Sequence, residues 1–169
     1  MMEVVLDSAA VQHLLRSIRT SRLRRSAAAY GLIVTSIDKP LEQKRLTLAI
    51  DRCRALVDEW ADTCGEETIK LLIIKWDGLG ALNPVLPVRS IGHPASRRLS
   101  QMGFTDAIDR LIIRVALATS DPTVVSEDSD FWDPSNLQQK GNPRACVASL
   151  CSRHLGVTVL LLGQLLKRL

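Results

Sequence analysis

Several common sequence signals are missing from this chain. The residues Met1 to Asp7 contain no basic cluster and reach an acid at once, which predicts that no signal peptide is present. The longest apolar run near the C-terminus is too short to span a bilayer, so we expect no membrane association. No glycine-rich turn follows the first apolar run, which argues against a dinucleotide-binding enzyme. Because Asp7-Ser8-Ala9 lacks a second acid, a phosphatase with an Asp-x-Asp nucleophile is not indicated either.

The cysteines also lack the spacing of a metal site. None of the four forms a Cys-x-x-Cys pair, which argues against a structural zinc site. We therefore expect free thiols and a reducing, cytoplasmic setting. The four are Cys53, Cys64, Cys146 and Cys151.

Composition is that of a globular protein. The chain of 169 residues is 46% apolar and 24% charged, which predicts one folded domain over 1–169 and excludes extensive disorder. The net charge of +4 is a mild bias toward polyanionic partners.

Apolar runs alternate with amphipathic segments along the chain. This alternation predicts an α/β fold, a three-layer α/β/α sandwich with a mainly parallel central sheet. The segment 77–94 is rich in glycine and proline and is predicted to be a loop. The predicted strands are 3–7, 45–50, 69–74, 123–126 and 157–161. The first predicted helix is capped by Ser8. The other predicted helices are 55–64, 95–102, 105–119 (capped by Thr105), 144–154 and 163–169.

Two acids follow predicted strands. Asp7 ends the first strand and Asp128 follows the strand at 123–126. In open α/β sheets, functional groups collect outside the carboxyl ends of the strands. Each acid also has a structural interpretation, Asp7 as a helix N-cap and Asp128 as a turn residue in an acidic tract.

Further acids lie on predicted helices. Asp109 falls in the first turns of the helix at 105–119, where the helix dipole favours a negative charge. Asp106 is an alternative candidate, both for stabilising the helix dipole and for a place in the functional site. Glu59 lies in the helix at 55–64, where it is also compatible with a solvated face. Asp58, Asp62 and Glu67 are alternative candidates for the acid that this region contributes to the site.

Taken together, these segments resemble the PIN-domain nucleases, in particular the bacterial toxin-type ribonucleases. The resemblance rests on Val-Val-Leu-Asp-Ser at 4–8, Phe-Thr-Asp-Ala-Ile-Asp-Arg-Leu at 104–111 and Thr-Val-Val-Ser-Glu-Asp-Ser-Asp-Phe at 123–131. The stretch 48–60 is similar to the strand, turn and helix that present a glutamate in that family. The order of these segments spans the whole chain.

The resemblance implies a Mg²⁺- or Mn²⁺-dependent endoribonuclease. Asp7, Asp109 and Asp128 match the metal-binding acids, and Glu59 matches a ligand or a group that orients the attacking water. It further implies single-stranded or looped RNA as substrate, and allows a small antitoxin partner and a homodimer. The alternative is a non-catalytic PIN-like module that binds RNA or protein. The auxiliary residues that the resemblance implies are Ser126, Asp130, Ser8 and Asp106.

Basic residues provide candidate contacts to RNA phosphates, with a solvated surface as the alternative. The tryptophans Trp76 and Trp132 are candidates either for stacking on bases or for packing in the core. The arginines predicted to contact nucleic acid are Arg16, Arg19, Arg22, Arg25 and Arg144, with Arg97, Arg98 and Lys140 as further candidates.

Overall fold

A computed structural model describes residues 1–19, 33–132 and 146–169. In these residues, short parallel strands are separated by helices. The strands are β1 (Met2–Leu6), β2 (Leu46–Asp51), β3 (Leu82–Val85), β4 (Thr123–Val125) and β5 (Thr158–Leu160). The helices are α1 (Ser8–Arg19), α2 (Asp38–Glu42), α3 (Ala55–Cys64), α4 (Glu66–Gly78), α5 (His93–Gln101), α6 (Ala107–Ala116), α7 (Ser129–Trp132), α8 (Val147–Leu155) and α9 (Leu162–Arg168).

The five strands form one sheet in the order β3-β2-β1-β4-β5, and every neighbouring pair is parallel. Helices flank this sheet, as in a three-layer α/β/α sandwich, so the predicted fold class is confirmed. The central strand β1 is covered on both faces, and its residues Val4, Val5 and Leu6 are fully buried. Burial on both faces explains why β1 is a continuous apolar run.

The strand order reverses at β1. From β1 the chain places β2 and β3 on one side, and later returns to place β4 and β5 on the other. Such a reversal opens a crevice at the carboxyl ends of the two strands that flank it, here β1 and β4. Asp7 follows β1, and Ser126 to Asp128 follow β4, so the chain directs acids into this crevice.

Helix α6 brings a further acid to the same edge. Its buried residues Ile112, Ile113 and Val115 pack against β1, β2 and β4. Because α6 leads into the amino end of β4, its own N-terminus lies toward the carboxyl edge of the sheet. Helix α3 starts just after β2 and packs against α6.

The prediction of a strand at 69–74 is wrong, because this segment lies within α4. Ile69, Leu72 and Trp76 are buried at helical spacing, whereas Ile74 is 61% exposed. A short apolar run does not distinguish a strand from a buried helix by its periodicity. Acids at the start of α4 and Lys75 in its last turn also favour the helix through its dipole.

The segment 77–94 is only partly a loop, because it contains β3. This strand pairs with β2 from Leu48 opposite Leu82 to Asp51 opposite Val85. Pro84 cannot donate a hydrogen bond, which is tolerated because β3 lies at the edge of the sheet. The high content of glycine and proline in the segment hides this edge strand from sequence reasoning.

No helix within residues 1–19, 33–132 and 146–169 combines the length and apolar character needed to cross a membrane. None of the cysteines Cys53, Cys64, Cys146 and Cys151, all of which lie in the described part of the chain, forms a disulfide.

Candidate functional site

An acidic cleft of about 290 Å³ opens at the carboxyl edge of the sheet. Its walls come from the segments that follow β1 and β4 and from helices α3 and α6. Seven of the predicted site residues meet there, although their functional roles stay a prediction. The lining residues are Asp7, Ser8, Glu59, Asp106, Ile108, Asp109, Ile112, Asp128 and Asp130.

Asp7 is fixed by the chain that surrounds it. Its backbone N–H donates to Val125 at 3.0 Å, and its carboxylate accepts from the Ala10 N–H at 2.7 Å. Asp7 therefore caps α1, as its structural interpretation predicted and in place of Ser8, while it also lines the cleft. Only 3% of the residue is exposed. Burial raises the pKa of Asp7 to about 6, and the nearby carboxylates of Asp128 and Glu127 add to the rise.

Ser126 connects the acids that follow β1 and β4. This residue is fully buried, and its hydroxyl bonds the Asp7 side chain and accepts from the Asp128 N–H at 3.0 Å. The bond to Ser126 opposes the rise in the pKa of Asp7, because it favours the ionised form. Trp132 donates from Nε1 to the Ser126 carbonyl at 2.9 Å. These contacts hold Asp128 beside Asp7, and the Asp128 Oδ1 accepts from the Asp130 N–H at 2.9 Å.

Asp106, and not Thr105, caps α6. Its carboxylate accepts from the N–H groups of Ile108 at 2.8 Å and Asp109 at 3.2 Å. The Thr105 hydroxyl instead donates to the Gly103 carbonyl at 3.5 Å. Asp106 therefore has a structural role as well as a place in the wall of the cleft.

Asp109 carries the larger pKa shift. Burial raises the pKa of Asp109 to about 7, and the carboxylates of Asp106, Asp128, Asp130 and Asp7 contribute in that order. The adjacent cation does not neutralise it, because Arg110 donates to the carbonyl of Phe104 and to the hydroxyl of Ser100. Asp109 is thus surrounded by charge of its own sign.

Glu59 is the acid of α3 that reaches the cleft. Helix α3 is anchored by Asp51, whose carboxylate accepts from the N–H groups of Ala55 at 3.0 Å and Leu56 at 2.9 Å. This start directs Glu59 into the cleft. The rivals Asp58, Asp62 and Glu67 are exposed and do not line it.

The sequence did not indicate several residues of this region. Ile108 and Ile112 form an apolar wall of the cleft, and their helical spacing with Asp109 was the available signal. Asp51 is the last residue of β2, at the same edge of the sheet as Asp7, yet it serves as a buried cap. Glu127 accepts from the Leu162 N–H at 2.7 Å and so holds the start of α9.

Most of the predicted RNA-contacting arginines fall outside the described structure. Arg16 is exposed on α1 and donates to Gln12 Oε1 at 2.7 Å. Trp76 is fully buried in an edge-to-face contact with Trp60, so its role is packing and not base stacking. The Arg19 side chain and residues Arg22, Arg25, Lys140 and Arg144 lie outside the described residues.

The donor set of the acidic cleft suits a hard divalent cation. Carboxylate oxygens are the ligands that Mg²⁺ and Mn²⁺ prefer, and the mutual repulsion of these acids would be relieved by a cation. Within residues 1–19, 33–132 and 146–169, however, no three Asp, Glu, His or Cys side chains are grouped tightly enough to hold an ion directly. Mg²⁺ usually keeps several waters and needs only one or two carboxylates, so an open cleft remains compatible with it.

Comparisons with protein-family models, curated proteins and solved structures found no significant match to this chain. Function must therefore be inferred from the geometry of the cleft.

Proposed function

We propose that this chain is a Mg²⁺- or Mn²⁺-dependent endoribonuclease of the PIN-like type. The proposal depends mainly on one observation: Asp7, Glu59, Asp109 and Asp128, which are distant in sequence, line a single cleft. The carboxylates of Asp7 and Asp109 have raised pKa values in part because like charges surround them. Acids that repel each other in this way favour a bound cation over four independent structural roles.

In the proposed reaction, Asp7, Asp109 and Asp128 would hold the cation partly through bound water, because they do not group tightly enough to bind it directly as a set of three. A bound Mg²⁺ or Mn²⁺ would neutralise charge on the phosphate and lower the pKa of water for attack on phosphorus. Ser126 and the Ala10 N–H fix the Asp7 carboxylate, so its position is set before any ligand arrives. Glu59 lies in the same cleft and can accept a proton from the attacking water or orient it.

The substrate class comes from the resemblance to the PIN-domain nucleases. By that resemblance, the target is single-stranded or looped RNA, and a small antitoxin partner and a homodimer are part of the same proposal. An accessible single strand also fits an open cleft, because a phosphodiester must approach the acids directly.

Cleavage of a mixed RNA pool tests the proposal. We expect the full chain to cleave with Mn²⁺ and to be inactive with a chelator. Asp7→Asn should abolish cleavage, whereas Asp58→Asn should leave it intact, because Asp58 is exposed on α3 next to Glu59 and outside the cleft. Cleavage by Asp7→Asn at the rate of the parent chain would contradict the proposal.

One observation favours a non-catalytic PIN-like module as the second candidate. In the described part of the chain, the acids share a cleft but do not group tightly enough to hold a metal directly. Such a module would bind RNA equally well with and without divalent ions, and Mn²⁺ would not raise its melting temperature. A catalytic domain should gain stability from the ion, because the ion binds only the folded state.

A further inference from the structure

A second cleft lies between α5 and α8, away from the acids. The two helices run antiparallel here, with Met102 beside Leu150 at one end and Pro94 beside Leu155 at the other. Two adjacent cavities of about 260 and 220 Å³ are both lined by Arg98 and His154. We call the surface that contains these two cavities the basic groove. Its polar lining residues are Arg98, Gln101, Ser149, Arg153 and His154, together with Cys146.

The cations of the basic groove have no counter-ion in the described part of the chain. No acid among the described residues lines either cavity, and the ion pair found among those residues joins Lys75 to Asp38 elsewhere. Arg98 contacts the ring of His154, with Nη1 at 3.0 Å from Nδ1. A guanidinium can only donate, so the imidazole must accept and Arg98 keeps its full charge.

One end of the basic groove lies toward the edge of the sheet that carries the acidic cleft. Helix α8 leads into the amino end of β5, so its first residues, next to Cys146, lie toward the carboxyl edge. Met102 lines the same end, and the nearby Phe104 packs edge-on against Phe131, with ring centroids 5.0 Å apart. Phe131 belongs to α7, which follows directly on Asp128, and both rings are buried, so this contact fixes the groove relative to the acids.

From this arrangement we infer that the basic groove binds the sugar-phosphate backbone of single-stranded RNA. Arg98 and Arg153 supply the planar donor forks that match phosphate oxygens. Gln101 and Ser149 add neutral donors, and the absence of lining acids among the described residues removes the main electrostatic barrier to a polyanion. The groove extends over two adjacent cavities, which suits a chain of phosphates better than a single small anion. The choice of RNA rests on the proposed nuclease function.

A binding measurement in chelator tests this inference without requiring cleavage. The probe is a fluorescein-labelled single-stranded polyuridylate, and the readout is fluorescence anisotropy over a range of salt concentrations. Each lost phosphate contact should weaken binding about eightfold at 50 mM salt and reduce the slope of log K against log salt by about 0.7. The variants are Arg98→Ala and Arg153→Ala, each in the full chain, and both residues are exposed.

Arg168→Ala is the matched control, because Arg168 is exposed on α9 and does not line the groove. It removes the same charge from the chain, so we expect it to change the affinity much less. Equal weakening by all three variants would show an effect of net charge alone and would overturn the inference, as would unchanged binding in both groove variants. The assay contains no divalent ion, so it tests RNA binding separately from cleavage. A chain that binds RNA in the groove but never cleaves it would contradict the proposed nuclease function and support RNA binding by the groove.

Discussion

The acidic cleft and the basic groove are opposites in charge and in construction. The cleft gathers acids from segments that follow β1 and β4 and from α3 and α6, and a buried serine and backbone N–H groups hold them. The groove carries exposed Arg98 and Arg153 on two helices that pack against each other. The acids are thus held by hydrogen bonds at the sheet edge, whereas the cations lie on an exposed helical surface.

This difference separates two tasks. Rigid carboxylates that repel each other are suited to hold a cation and to act on a bond, because their positions do not relax when the charge is unsatisfied. Long basic side chains on a surface are suited to hold a polyanion with little sequence preference. We therefore expect substitutions in the cleft to affect the rate of cleavage, and substitutions in the groove to affect RNA affinity.

The largest expected effect is that of Asp109→Asn on cleavage. Loss of one acid should lower the single-turnover rate at saturating RNA by at least about a hundredfold, since even substitution of groups behind metal ligands costs 10- to 100-fold. RNA affinity in chelator should stay equal or increase, because the cleft loses negative charge. If Asp109→Asn instead lost RNA affinity and kept the cleavage rate, the assignment of the rate to the cleft and of affinity to the groove would be wrong.

The next effect is a pH dependence of stability in the absence of metal. Folding raises the pKa of Asp7 to about 6 and that of Asp109 to about 7, so the folded chain binds more protons than the unfolded chain between about pH 4 and pH 7. The free energy of unfolding contributed by these acids should therefore fall as pH rises through this window. For the buried Asp7, the loss is on the order of 2–3 kcal/mol.

Urea denaturation in chelator measures this contribution. Asp7→Asn should flatten the dependence below about pH 6, and Asp109→Asn should flatten the part closer to about pH 7, because each removes one titrating group. Asp58→Asn is the control, since Asp58 is exposed and outside the cleft. If the parent and all three variants show the same pH dependence, the acids of the cleft do not repel each other as described.

The groove has a smaller kinetic signature. In Mn²⁺ at 50 mM salt, Arg98→Ala should raise the KM for RNA about eightfold and leave kcat unchanged, because it removes one phosphate contact that is distant from the reacting bond. The effect should shrink as salt increases, since ions then compete for the same phosphates. A fall in kcat at an unchanged KM would assign Arg98 to the cleft and not to a separate binding surface.

The acidic cleft could be predicted from the sequence, whereas for the basic groove only the single candidate Arg98 could be named and not its partner Arg153. Asp7 directly follows β1 and Asp128 comes three residues after β4, and a parallel sheet brings such ends to one edge. Arg98 and Arg153 are far apart in sequence and meet only because α5 packs against α8. The sequence was also insufficient for α4, because a short apolar run cannot be distinguished from a strand until the residues that pack against it are known.

The smallest effect sharpens the boundary of the acidic cleft. Asp106 lines the cleft, but its Oδ1 accepts from the N–H groups of both Ile108 and Asp109, so we assign it to the helix cap. Asp106→Ala should therefore lower the free energy of unfolding by about 1 kcal/mol, the usual cost of losing an N-cap, and Asp106→Asn should restore it. In cleavage, Asp106→Asn should retain activity close to the parent, since an amide caps the helix as well as a carboxylate does. If Asp106→Asn keeps its stability but loses cleavage as Asp109→Asn does, Asp106 belongs with the metal-holding acids and is not only a helix cap.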